Sequence, residues 1–110
     1  MFEGEWKDNK RHGKGHIEYV SGDTYTGDWM NDKCEGHGVL VFKSGGRYEG
    51  EWKDNKRHGN GHMEYANGNT YTGDWVNDNR EGHGVLVFKS GGRYEILHSH
   101  DMLSVCSFLL

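Results

Sequence analysis

The chain has 110 residues, 33% of them hydrophobic, with 18 glycines, no proline and a formal net charge of −4. That length allows one domain, and so small an apolar fraction argues against a thick two-layer core. Basic residues interleaved with a surplus of acids exclude a nucleic-acid surface, and no stretch approaches the roughly 20 apolar residues of a membrane-spanning helix.

The chain opens directly in a repeat. Residues 2–47 and 48–93 agree at 37 of 46 positions, and each copy divides into two related 23-residue units. This gives an array over 1–94 with repeats 2–24, 25–47, 48–70 and 71–93, and a divergent tail over 95–110. A fixed short period means stacked supersecondary units.

Within a unit the first run alternates. In Tyr25-Thr-Gly-Asp-Trp29, residues 25, 27 and 29 share one face of a strand and Thr26 and Asp28 the other. The second run, Gly38-Val-Leu-Val-Phe42, places Gly38, Leu40 and Phe42 together, as Gly15, Ile17 and Tyr19 are placed in the first unit. Between the two runs, Lys7–Gly13 and its equivalents read as a turn rich in Asn, Asp and Gly. Ser21-Gly22, Ser44-Gly45-Gly46 and Asn67-Gly68 close the other side. The prediction is an all-β, antiparallel meander of about eight short strands, with a ninth beginning at Tyr94.

Gly4, Gly27, Gly50 and Gly73 each lie between an aromatic and a tryptophan on one face, leaving a slot where a ring can lie flat on the backbone. Four tryptophans, six tyrosines and four phenylalanines, mostly at fixed repeat positions, make that face apolar and concave. The other face, with Glu3, Glu5, Thr26, Asp28, Glu49, Glu51, Val39 and Val41, reads as the solvated one.

The pattern aromatic-x-Gly-x-Trp, a polar turn ending in Gly-x-Gly, and an apolar strand closed by an aromatic and a Gly turn is carried by Tyr25, Gly27, Trp29, Gly36, Gly38, Phe42 and Gly45. It resembles the MORN repeat, over residues 2–93. The resemblance implies an elongated single-layer sheet of MORN-type β-hairpins, no intrinsic enzymatic activity, and a role in scaffolding or membrane-proximal assembly, often as an accessory segment of a larger protein. Two readings stand for 95–110: a cap on the last hairpin, formed as a short C-terminal helix, or a frayed fragment boundary.

No constellation of nucleophile, base and orienting group recurs, so no catalytic residue is assigned and an enzyme is not expected. His12 and His58 are expected at turns and His16 and His62 on a strand face, without the convergence zinc needs. No metal or cofactor site is assigned. Cys34 and Cys106 occupy non-equivalent positions, and Cys34 is Arg80 in the second copy, which rules out a disulfide framework and suggests a reducing cytoplasmic setting.

The function expected is a non-enzymatic scaffold whose aromatic groove receives an apolar peptide or helix of a partner protein. Its lining is Tyr25, Trp29, Leu40, Phe42, Tyr48, Trp52, Met63, Tyr65, Tyr71, Trp75, Leu86 and Phe88. Two alternatives stand beside it. One is a peripheral tether to anionic or phosphoinositide membranes through a basic hairpin edge formed by Lys7, Lys10, Arg11, Lys53, Lys56 and Arg57. The other is a cytoskeletal scaffold that self-associates, as a homodimer, through its open strand edges or aromatic face.

Overall fold

Nine antiparallel strands form one sheet in strict chain order in a computed structural model that describes residues 1–96. They are β1 (Phe2–Lys7), β2 (Lys10–Glu18), β3 (Thr24–Met30), β4 (Lys33–Val41), β5 (Arg47–Lys53), β6 (Lys56–Glu64), β7 (Thr70–Val76), β8 (Asn79–Val87) and β9 (Arg93–Ile96). The molecule is elongated, 48 × 25 × 17 Å, as nine strands about 4.8 Å apart require. The meander and its ninth strand are as the alternation predicts. Both readings of the tail lie outside the described residues beyond Ile96.

The turns inside the units are tighter than expected. Asp8 and Asn9 take φ of 52° and 65°, and Asn31-Asp32, Asp54-Asn55 and Asn77-Asp78 do likewise. Two consecutive left-handed residues make a type I′ turn, whose twist matches that of the flanking strands. Asn and Asp tolerate this backbone because their short side chains hydrogen-bond locally. A two-residue turn therefore suffices, and the stretch expected as turn from Lys10 to Gly13 belongs to β2. His12 and His58 accordingly sit on strands β2 and β6, not at turns.

The first glycine of each Gly-x-Gly is also not a turn residue. The β3–β4 register runs Gly27↔Gly38 and then Trp29↔Cys34, so β4 carries two extra residues in a bulge at Glu35-Gly36-His37. Gly36 at φ +95° supplies the backbone conformation the bulge needs. The polar face seals it: Asp28 Oδ2 accepts the His37 N–H at 3.0 Å. Glu5 accepts from Lys14 N, Glu51 from Asn60 N and Asp74 from His83 N in the same way. The Asp28 carboxyl is held below the usual carboxylate range although burial opposes this, because the Lys14 ammonium and the His37 N–H both favour the charged form.

Connections between units are three-residue loops. In the first, Gly22 N–H donates to Tyr19 O and Tyr19 N–H to Asp23 O, each at 2.9 Å. Gly22 at φ +97° closes the loop in the manner of a type I turn with a G1 bulge.

Candidate interaction surface

One face carries a ladder of rings. Tyr25 lies across the Gly27–Gly38 pair so closely that a Cβ on Gly38 would fall 2.2 Å from its hydroxyl. Tyr48 covers Gly61 and Tyr71 covers Gly84 in the same way. The ring covering each glycine pair thus belongs to its own hairpin. Each phenol then donates to a carbonyl three residues on: Tyr25 to Asp28 O at 2.8 Å, Tyr48 to Glu51 O at 3.0 Å and Tyr71 to Asp74 O at 3.1 Å.

Tryptophans join successive units. Trp52 stands edge-to-face against both Tyr48 of its own unit and Tyr25 of the preceding one, with centroids 5.3 and 5.2 Å away. Trp29 and Trp75 repeat this with Tyr25 and Phe2, and with Tyr71 and Tyr48. Such geometry suits the ring quadrupoles and adds to the energy of burial. The Trp29 and Trp52 indoles donate back to Gly15 O and Gly38 O. The Trp75 N–H is buried without an acceptor among the described residues.

The ladder closes over its own floor. Tyr25, Tyr48 and Tyr71 are 0% exposed, and Trp29, Trp52, Trp75, Met63 and Leu86 are buried. Desolvation pushes the phenols of Tyr48 and Tyr71 up to about 12, and that of Tyr25 higher still. Leu40, Phe42, Tyr65 and Phe88 pack against this floor but stay half-buried. All twelve predicted groove residues therefore lie in one cluster, and only these last four retain appreciable surface.

Phe2, Ile17, Cys34 and Tyr94 belong to the same cluster. The repeat positions of Phe2, Ile17 and Tyr94, equivalent to those of Tyr25, Leu40 and Tyr48, are the signal that finds them, whereas Cys34, equivalent to Arg11, carries no such signal.

The basic residues split into two kinds. Lys7, Lys10, Lys53 and Lys56 are exposed beside the tight turns. Arg11 and Arg57 instead turn onto the ring face, because the two-residue turn makes them strand residues paired with Trp6 and Trp52. Arg11 lies 4.7 Å over the Trp29 ring, and Arg57 lies 4.7 Å over Trp75.

Each arginine is also stapled to the next unit's turn. Arg11 donates its N–H and Nε–H to Asp32 Oδ1 at 2.8 and 3.1 Å and its Nη2–H to Asp32 O, while Asp32 N–H returns to Arg11 O. Arg57 and Asp78 repeat the arrangement. These bonds, from the Arg11 backbone and then its side chain, hold the Asp32 carboxyl below its usual range. At the intervening unit Cys34 takes the arginine's place and Asn55 the acid's: Cys34 N–H donates to Asn55 Oδ1 at 2.8 Å. The Cys34 side chain is 2% exposed, and burial pushes its thiol up to about 11.

His16 and His62 hydrogen-bond through Nδ1 to Thr26 and Thr72 on the polar face. Among the described residues no three His, Cys, Asp or Glu side chains are grouped to hold a metal ion.

The MORN repeat model matches residues 2–24, 25–47, 48–70 and 71–93, one 23-residue unit after another. Alsin from Rattus norvegicus, from Mus musculus and from Homo sapiens is 40% identical over 50 residues, which is 44% of this chain. The match spans 3% of the length of these curated relatives.

Proposed function

We propose, because the chain belongs to the MORN repeat family, that it is a scaffold segment whose ring-bearing face docks an apolar peptide or helix of a partner protein. Repeats of this family are non-enzymatic modules that mediate protein or membrane interactions. The observation that carries the reading is the half-buried apolar row of Leu40, Phe42, Tyr65 and Phe88, seated on a closed and rigid ring floor. Apolar side chains held in place before binding add buried area at little ordering cost.

Affinity capture with mass spectrometry, comparing the native chain with Phe42→Asp and Tyr65→Asp, tests this. The partner is expected to be lost from both variants while circular dichroism is unchanged, and to be kept by Val39→Asp on the opposite face. Equal capture by all four proteins would refute ring-face docking.

A second reading rests on the exposed lysines. Lys7, Lys10, Lys53 and Lys56 stand near the two odd-numbered tight turns, at the same end of the strands, where an anionic headgroup can approach. Vesicle sedimentation checks it: pelleting with phosphoinositide vesicles at low salt, lost when the four lysines become glutamine, favours the tether. Self-association through the unpaired edge of β1 predicts instead a sedimentation coefficient that rises with protein concentration.

A further inference from the structure

The two copies of the 46-residue module differ at nine places, and four of the differing residues, Val20, Ser21, Asp23 and Cys34, line one cavity. In the second copy Arg80 folds back over the rings of Tyr71 and Tyr65, at 5.5 and 5.9 Å from their centroids. In the first copy the equivalent residue is Cys34, whose short side chain stops at the floor. A cavity of about 630 Å³ opens there, lined by Tyr19, Tyr25 and Trp52 among others.

These rings stand at positions equivalent to those that Arg11, Arg57 and Arg80 cover elsewhere in the chain. Arg11 and Arg57 each cover the aromatic that opens their own unit, Phe2 or Tyr48, and the next unit's tryptophan, Trp29 or Trp75. By the same register those roles fall to Tyr25 and Trp52 at Cys34, while Tyr19 corresponds to Tyr65 beneath Arg80.

Charge changes with shape. Asp23 lines the cavity, and its equivalent in the second copy is the neutral Asn69. The turn does not need that charge: Asp23 Oδ1 accepts Lys43 N–H at 2.8 Å, and Asn69 Oδ1 accepts Lys89 N–H at 3.0 Å. The copy that lacks the arginine therefore carries the extra carboxylate.

We infer that the cavity at Cys34 is a guanidinium socket that takes an arginine side chain from the docked partner segment, in the place Arg80 fills within the chain itself. Tyr19, 39% exposed above the buried Tyr25 and Trp52, offers its ring to a delocalised cation, and Asp23 supplies the opposite charge. The Asn55 carbonyl stands, by repeat equivalence, where Asp32 O and Asp78 O accept an Nη2–H from Arg11 and Arg57. Arg11, which also lines the cavity, is neutralised by its ion pair with Asp32, and the second copy holds Arg57 and Arg80 at the same spacing.

The inference rests on ring-face docking and names its anchor: an apolar segment bearing one arginine.

The test is titration of the ¹⁵N-labelled full chain with N-acetyl-arginine-N-methylamide, followed through the backbone amides and tryptophan indoles. Saturable shifts are expected at the Trp52 indole and the Cys34 and Asn55 amides, but not at the Tyr65 and Tyr71 amides, and none with the norleucine analogue. Cys34→Arg, filling the socket from within, should abolish them. Asp23→Asn, which keeps the Lys43 hydrogen bond, should weaken binding about two- to fivefold, the worth of one partly exposed charge pair. Arg80→Cys with Asn69→Asp should open a second site at Tyr65 and Tyr71. Absence of saturable shifts, equal shifts with norleucine, or an undiminished response in Asp23→Asn and Cys34→Arg would overturn the socket. The probe needs no partner, so its failure leaves ring-face docking to be decided by the Phe42 and Tyr65 variants.

Discussion

Replacing Gly38 by alanine isolates the contact on which the ring ladder stands. The new Cβ would fall 2.2 Å from the Tyr25 hydroxyl and 2.3 Å from two of its ring carbons, well inside van der Waals contact. Tyr25 cannot slide aside, because Trp29 and Trp52 abut its two sides at 5.3 and 5.2 Å. Strained accommodation costs about 1–3 kcal/mol. Expulsion of the ring forfeits the burial of about 150–250 Å², or about 4–6 kcal/mol at about 25 cal/mol per Å². A loss of about 3 kcal/mol or more is expected, a large share of the roughly 5–15 kcal/mol that holds a domain folded. Urea unfolding followed by tryptophan fluorescence and far-ultraviolet circular dichroism measures it. In a Tyr25→Val background the three atoms nearest that Cβ, all of the Tyr25 ring, are gone, so Gly38→Ala should lose most of its cost. Gly27→Ala behaves differently, since its Cβ meets the Gly38 Cα at 2.4 Å and the His37 carbonyl oxygen at 2.5 Å. It should stay costly in both backgrounds. Equal cost of Gly38→Ala with and without the Tyr25 ring would refute the reasoning.

Acid should weaken the fold through the bulge and turn carboxylates. Asp28 and Asp32 bind protons less readily when folded than unfolded, so their contribution is full above the unfolded value near 3.8 and is lost as pH falls through the lower folded values. Urea midpoints between pH 6 and 3 should decline, and Asp28→Asn should flatten the slope. At the alkaline end the sign reverses: Tyr48 and Tyr71, held up to about 12, keep their protons while the unfolded chain loses them above about 10. Ultraviolet titration should show these phenols ionising late, and stability should fall as pH rises past 10. In a Cys106→Ser background, the Cys34 thiol, 2% exposed and pushed up to about 11, should react with a disulfide reagent at pH 8 far more slowly than in urea. A rate matching the unfolded one would show that the socket floor is open.

Strand number and pairing order were legible because the period of two and the period of 23 leave one consistent meander. The glycine slots were legible for a similar reason: Gly27 sits in register between Tyr25 and Trp29. What alternation conceals is the bulge, since two extra residues at Glu35-Gly36-His37 break the period without breaking the strand. That concealment assigned Lys10 to Gly13 to a turn and grouped Arg11 with the lysines beside it. The twelve aromatic-face residues come together as the spacing implies, yet the degree of closure was not legible. For Tyr25 and Tyr48 it depends on a tryptophan from the following unit, a contact 27 residues away for Tyr25 and Trp52. The Arg-to-Cys exchange at position 34 was visible in the sequence, but its meaning appears only when Arg80 is seen lying over Tyr65 and Tyr71.

Strand order without a single crossover also has a mechanical side. Tension applied between the first and last strands lies along the hydrogen bonds and loads the ladder rung by rung, as in opening a zip. Each released unit surrenders its tyrosine seat, its tryptophan clasp and, where present, the staple to the next turn. Such a sheet should lengthen under small loads in increments of one hairpin and re-form when slack returns, a compliant link where a shear-loaded sheet of equal size would hold rigid and then fail at once.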